Sequence, residues 1–360
     1  MAAADDKLDR LEARINALGD DRALALVRQM RALGTRGELD DETFARYMHE
    51  LERNTEADLR RLTPEQRSLM EQLARLITET FRGMRPSTWR NLLKRILLGR
   101  PAGNVDDFGR DAEFIERIKP LAEFLFEKYW RVEVDGLENV PAEGPCLLVS
   151  NHSGLLPFDA WMIQYAVQEL HPAGRFVRFL IEEWFTSLPF ISYNMARIGQ
   201  VRGSQFNAER LLRRGEIVGV FPEGVRGIDK PYRQRYHLQR FGRGGSIRLA
   251  MKTKAPVLPV AVLGAEEIYP VLFTSGFVAN LLRMPYFPVT PLFPLFGPLG
   301  LLPLPSKWRI RFGERIPLGE FSPGAWEDDI LVNTLNEDAR RTIQEMLTEL
   351  VQRRQSLFLG

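Results

Sequence analysis

Apolar residues recur at helical spacing through the N-terminal third of the chain. Leu8, Leu11, Ile15 and Leu18 form one amphipathic stripe that stops at Gly19, and a second short helix through Val27 and Met30 stops at Gly34. "DDETFARYMHELER" continues the helical pattern. "TPEQRSLMEQLARLITETF" then opens with Thr63 as N-cap, Pro64 in the first turn and Gln66 completing a capping box. In "RPSTWRNLLKRILLGRP" the residues Trp89, Leu92, Leu93, Ile96 and Leu97 lie along one helical face. Five basic residues and no acid fall between Arg85 and Arg100. A helix of that kind either packs its apolar face on a core or lies on anionic lipid, and in the second case Trp89, Lys94 and Arg95 are its membrane contacts. Residues 1–100 are therefore read as a helical N-terminal region, coiled-coil or membrane-apposed, and 101–360 as a separate α/β domain.

The period changes after Pro101. "DAEFIERIKPLAEFLFEKYW" reads as a helix with an irregularity at Pro120. From Arg131 onward come the short strand-like runs "VEV", "CLLVS", "RFVRFLI", "IVGVF", "VLPVAVLG" and "WRIRF", with helices expected from Asp159, Gln205, Gly244 and Ala265 and from about Trp326 to Arg353. Several runs are apolar throughout, as strands covered on both faces are. The pattern predicts a layered α/β domain with a largely parallel sheet flanked by helices, preceded by the N-terminal helical region.

Between Met284 and Ser306 lie 23 residues without a charge, long enough to span a bilayer, but seven of them are prolines. Each proline removes a backbone donor, and hydrocarbon leaves no unpaired backbone group satisfied, so a spanning helix is rejected. The stretch is either a buried extended wrap or an apolar lip at a membrane surface, with Phe293 as the contact.

Composition narrows the picture further. The chain has 360 residues, 44% hydrophobic and 27% charged, with a formal net charge of only +2, so global charge selects no polyanionic partner and nucleic acid is not expected. The single cysteine, Cys146, sits in an apolar strand and reads as a core residue in a reducing compartment. "MAAADDKLDRLEARI" has acids where a signal peptide needs an apolar run, which points to the cytoplasm or the cytoplasmic face of a membrane. The histidines are too scattered to suggest a metal site.

Three loops at the expected carboxyl ends of strands carry candidate chemistry. "SNHSGLLPFDA" places His152 just after a strand and Asp159 at the start of a helix, with Gly154 and Pro157 suited to folding the chain back between them. A carboxylate on one imidazole nitrogen fixes the tautomer and makes the ring a general base; the alternative is that Asp159 only caps its helix. "VFPEGVRG" supplies Pro222, Glu223, Gly224 and Arg226, followed by Lys230, Arg233 and Arg235, a turn able to approach an anion. "ARIGQVRGS" brings Arg197 and Arg202 to the start of a further helix, an anion site by geometry.

Taken in this order, the three loops and the strand "APVLPVAVLG" resemble the glycerolipid acyltransferase family, the glycerophosphate and lysophospholipid O-acyltransferases. The resemblance spans about Arg131 to Pro317, and Phe221-Pro222-Glu223-Gly224 with Arg226 is its most specific part. Six residues separate His152 from Asp159 where the family pattern has four, which looks like the branch with diacylglycerol-type and plastid relatives. The Gly199-to-Arg202 block is compressed. The resemblance implies transfer of a fatty acyl group from an acyl thioester, coenzyme A or acyl carrier protein, to a lipid hydroxyl, with no further cofactor and no metal. The expected acceptor is a lysophospholipid, 1-acylglycerol-3-phosphate first. His152 and Asp159 are then catalytic, and Arg202, Pro222, Glu223, Gly224 and Arg226 bind substrate. A neutral-lipid acceptor and a non-catalytic lipid-binding scaffold are the rival readings; a serine hydrolase would want a Gly-x-Ser-x-Gly elbow, and the sequence has none. The expected partners are a lipid acceptor, an acyl thioester and a membrane surface met peripherally or monotopically. The N-terminal stripe is a candidate surface for a second copy of the chain.

Overall fold

The computed structural model describes residues 105–357, apart from 155, 183–190, 276–278, 280–285, 291–292, 294–299, 301 and 323. The N-terminal helical region, with Trp89, Lys94 and Arg95, lies outside the described residues. Those described fall into two compact units, one holding 105–272 with 302–357 and the other the excursion 273–300.

In the larger unit, Asp111 caps α1 (Ala112–Glu123) by accepting from Phe114 N, and the helix carries Pro120 before passing into a π-helical turn, Phe124–Tyr129. There follow β1 (Glu133–Asp135), β2 (Cys146–Ser150), α2 (Phe158–Tyr165), β3 (Val177–Ile181), α3 (Ile191–Arg197) and β4 (Val201–Arg202). Next come α4 (Gln205–Arg213), β5 (Ile217–Val220), the short α5 (Val225–Ile228), α6 (Gly245–Thr253) and β6 (Val257–Leu263). The smaller unit contributes β7 (Phe273–Thr274) and β8 (Pro288–Val289), which pair antiparallel. β9 (Arg309–Phe312) and the long α7 (Asp329–Arg353) complete the chain.

The seven-stranded sheet runs β1-β9-β6-β2-β5-β3-β4. Its neighbours are parallel except for the β6–β9 pair, so β2, β3, β4, β5 and β6 all end at one edge. Every residue of β2 and β6 is buried, as continuous apolar runs predict for strands covered on both sides. Alternation along β2 sorts the two layers. Cys146 and Leu148 face a core with Met162, Ile163 and the stacked pair Trp130–Trp308, while Leu147 and Val149 face one built with Leu211, Leu212, Ile247, Ile343 and Leu347 from α4, α6 and α7. Burying one such leucine contributes roughly 1.5–3 kcal/mol, and these layers fix the sheet that carries the loops.

Six expected strands are present, and a largely parallel sheet flanked by helices is the fold. One expected helix is not: Ala265–Glu267 is a single 3₁₀ turn. Pro270, three residues on, disfavours helical backbone just before it. In the uncharged proline-rich stretch, Tyr286, Phe287, Val289 and Leu304 are buried and Leu302 is exposed. Among the described residues no helix is long and apolar enough to cross a membrane.

Candidate active site

β2 ends at Ser150, and the next side chain holds the turn in place. Asn151 bonds the main chain of Val262 on β6 twice, its Nδ2 donating to Val262 O at 2.9 Å and its Oδ1 accepting from Val262 N at 2.8 Å. That pair extends the sheet one residue beyond the strand and sets where His152 begins. Nδ1 of His152 then lies 2.6 Å from Oδ2 of Asp159 in the first turn of α2. The same oxygen accepts from Ser153 N at 3.0 Å, and Oδ1 accepts from Ala160 N at 2.8 Å. Asp159 is fully buried, whereas the His152 side chain keeps 13% of its surface exposed. Asp159 is not the cap of α2, whose N-cap is Pro157: its carboxylate orients the imidazole, and Nε2 has no hydrogen-bond partner among the described residues.

The imidazole is also held from its face. It stacks on Phe221 with centroids 4.1 Å apart and planes 10° from parallel, and Phe221 stacks in turn on Phe179 at 5.1 Å. Gly219 makes room for this column, because a Cβ there would lie 2.5 Å from the Phe179 ring. From behind, Glu223 ties the loops together: Oε1 accepts from His152 N at 3.0 Å and Oε2 from Gln239 N at 2.6 Å. Burial pushes its pKa above the ordinary carboxylate value, opposed by Lys230 and by the two main-chain donors. Gly227 packs against it, with a Cβ there only 3.0 Å from Glu223 Cβ and 3.1 Å from His152 O.

Pro222 accepts from Gly242 N at 3.0 Å, and Gly224 closes the turn by donating to Phe221 O at 2.9 Å with φ +56°. Arg226 is exposed on α5, with no ion pair among the described residues, and Arg202 is exposed at the end of β4. Glu223 was expected to touch substrate, yet both its oxygens meet main-chain amides. Lys230 is buried against Glu266 at 2.5 Å and His237 O at 3.0 Å, and Arg235 packs over Tyr232 and Tyr236. Arg197 is buried too, bonding Asp111 through Nε and Nη2 at 3.0 and 2.9 Å over the Phe114 ring. Ser204, two residues past Arg202, caps α4 by accepting from Asn207 N. Phe293 is half-buried in the smaller unit, 5.3 Å from Phe287. Burial pushes the Cys146 thiol up to about 12, so it is no nucleophile. Among the described residues no group of three His, Cys, Asp or Glu side chains could hold a metal ion.

Two motif residues have roles that the pattern did not assign, Asn151 as a clamp and Phe221 as a stacking platform, because only the fold shows what they touch.

The His152–Asp159 pair thus lies on a loop at the carboxyl edge of a parallel sheet, where loops of such sheets commonly carry ligand sites, beside a turn that carries the exposed Arg226. Comparison with known proteins names the class. A family model described as Acyltransferase matches residues 131–263. An uncharacterized protein of Mycobacterium tuberculosis is 45% identical over 258 residues, 71% of this chain and 72% of the relative. A chloroplastic 1-acyl-sn-glycerol-3-phosphate acyltransferase of Brassica napus is 26% identical over 155 residues, 39% of this chain and 40% of the relative. The crystal structure of the 1-acyl-sn-glycerophosphate acyltransferase of Thermotoga maritima aligns with a TM-score of 0.44 and 19% identity, over 82% of this chain and 100% of that one. The chain belongs to the acyltransferase family and is an acyl-transferring enzyme.

Proposed function

We propose that this enzyme moves a fatty acyl group from an acyl thioester, acyl-coenzyme A or acyl carrier protein, to the free hydroxyl of a lysophospholipid, with 1-acylglycerol-3-phosphate as acceptor. The observation that carries the chemistry is the 2.6 Å contact between His152 Nδ1 and Asp159 Oδ2, which leaves Nε2 for the substrate. Nε2 takes the proton of the acceptor hydroxyl as its oxygen attacks the thioester carbonyl. Collapse of the tetrahedral intermediate breaks the carbon–sulfur bond, and the imidazolium returns the proton to the leaving thiolate. No covalent acyl-enzyme is needed, since a thioester is already electrophilic; the positioned base contributes roughly 10²–10⁴-fold.

Arg202 and Arg226, exposed at the same sheet edge, are assigned to the acceptor phosphate, with the Pro222–Gly224 turn beside them. Glu223 is assigned to positioning, because a carboxylate facing a phosphate would repel it, while its bonds to His152 N and Gln239 N set the base in place. The acceptor named for the Brassica napus relative supports the choice of 1-acylglycerol-3-phosphate. Both acceptor and product are amphiphiles, so the site works at the cytoplasmic surface of a membrane.

The test is release of free thiol from acyl-coenzyme A, with products identified by mass spectrometry, against lysophosphatidic acid, other lysophospholipids, diacylglycerol and no acceptor. Release that requires lysophosphatidic acid and yields phosphatidic acid supports the proposal. A diacylglycerol-only requirement would move the acceptor to the neutral-lipid class, and acceptor-independent release would remove the transfer reading.

A further inference from the structure

The carboxyl edge of the sheet carries a patch that neither the proton chemistry nor the fold requires. Between Phe221 and Gly245 the exposed side chains are Arg226, Arg233, Gln234, His237, Arg240 and Arg243, with no carboxylate among them. Exposed Arg202 ends β4 close by. Gly203 N donates to Ile181 O at 2.8 Å, and a Cβ at Gly224 would sit 3.3 Å from the carboxylate of Glu182. Gly242 N donates to Pro222 O, and a Cβ at Gly245 would lie 3.7 Å from Gln205 Nε2. Glu182 just after β3, the turns after β4 and β5 and the first turns of α4 and α6 are thus one continuous surface.

Phe206 projects from this surface, 75% exposed in the first turn of α4, whose buried side is supplied by Ala208, Leu211 and Leu212. One exposed phenylalanine is ordinary. This one shares its surface with Arg233, Arg240 and Arg243, which have no ion pair among the described residues. Glu182 is the one exposed acid among the described residues of these turns. The start of α7 packs on the Gly242–Gly244 turn through Val332 and Asn336; there Asp328 accepts from Ile330 N and Leu331 N, Asp329 pairs with Arg248, and Glu327 is exposed.

We propose that this edge docks on an anionic lipid bilayer, with the Phe206 ring entering the interfacial region and Arg233, Arg240 and Arg243 meeting lipid phosphates. An aromatic ring flanked by cations suits an interface that is apolar at one depth and negatively charged at another. Docked this way, the loop that carries His152, at the same edge of the sheet, meets the layer that holds the acceptor. The inference rests on the acyl-to-lipid reading above and adds to it the face that meets the membrane.

The test is flotation of the full-length protein with vesicles of phosphatidylcholine alone or mixed with phosphatidylglycerol, comparing Phe206→Ser and the double variant Arg240→Glu/Arg243→Glu with wild type. Turnover of a dispersed short-chain lysophosphatidic acid is followed in parallel. Each variant is expected to bind anionic vesicles at least about tenfold more weakly, Phe206→Ser through loss of the inserted ring and the double variant through loss of two arginine contacts, while turnover of the dispersed acceptor is unchanged. Unaltered binding in both variants overturns the proposal, as does loss of turnover on the dispersed acceptor, which would place these residues in the site itself. Weaker use of an acyl carrier protein donor with vesicle binding intact overturns it too, and reassigns the face to the donor. Failure of the wild type to acylate any lipid would defeat the functional proposal, while the vesicle comparison would still report on the face.

Discussion

Asp159 and His152 are seven positions apart, and the loop between them closes so that the carboxylate oxygen lies 2.6 Å from the imidazole Nδ1. Two main-chain amides, from Ser153 and Ala160, also donate to that carboxylate. Asp159→Asn keeps the shape but presents an NH₂ group where one of these donors needs an acceptor. Turnover should fall roughly 10²–10⁴-fold, with the acceptor KM changed far less. A variant that lost affinity and kept its kcat would show that Asp159 serves binding instead.

Glu223 links the base to the Pro222–Gly224 turn. Glu223→Gln leaves one of two buried amide donors, His152 N or Gln239 N, facing an NH₂ group, which costs about 1–3 kcal/mol in stability and slows turnover. The pH dependence has a defined sign. Burial raises the folded pKa above the ordinary 4.5, so the folded state binds the proton more tightly than the unfolded chain. Stability of the wild type relative to Glu223→Gln is therefore greatest below 4.5 and declines as pH rises through the raised value. Denaturant titrations of both proteins across that range check it; a difference that grew with pH would contradict the assignment.

Phe221 holds the plane of the imidazole by stacking on it. Phe221→Leu keeps bulk and loses the flat platform, so kcat should drop about tenfold with KM little altered. Phe221→Tyr should restore most of the rate, since the ring is what the imidazole needs. Equal losses in the two variants would mean that Phe221 acts only through core packing.

The two arginines of the Gly199 region have different work. Arg197 and Asp111 form a buried pair, so Asp111→Ala, which also removes the cap of α1, should lower stability by roughly 3–5 kcal/mol. Arg202→Ala, at an exposed strand end, should change stability by no more than about 0.5 kcal/mol and raise the acceptor KM instead. Steady-state kinetics beside thermal melts separate the two, and an unchanged KM in Arg202→Ala would remove that residue from the phosphate site.

Much of this was legible in the sequence because apolar runs bounded by glycine and proline announce strands wherever both faces are covered. β2 and β6 are the clearest cases, and the loop after β2 displays its histidine and aspartate openly. β4 escaped because two residues carry no period, and its pairing comes entirely from its neighbour β3. The roles of Lys230, Arg235 and Glu223 were hidden for a related reason. A basic or acidic residue in a polar loop reads as solvent-facing or substrate-facing, and only three-dimensional proximity shows that Lys230 meets Glu266 and that Glu223 meets two amides. Arg202 and Arg197 could not be told apart by spacing, because burial separates them and spacing does not report burial.

The central claim is that His152 Nε2 takes the acceptor proton. It is tested most directly by acceptor-dependent thiol release from acyl-coenzyme A with His152→Ala, purified beside wild type and matched to it by circular dichroism and melting temperature. The account predicts a folded protein whose release rate falls by about 10²–10⁴-fold. A folded His152→Ala enzyme that still acylates its acceptor at a near wild-type rate would contradict it.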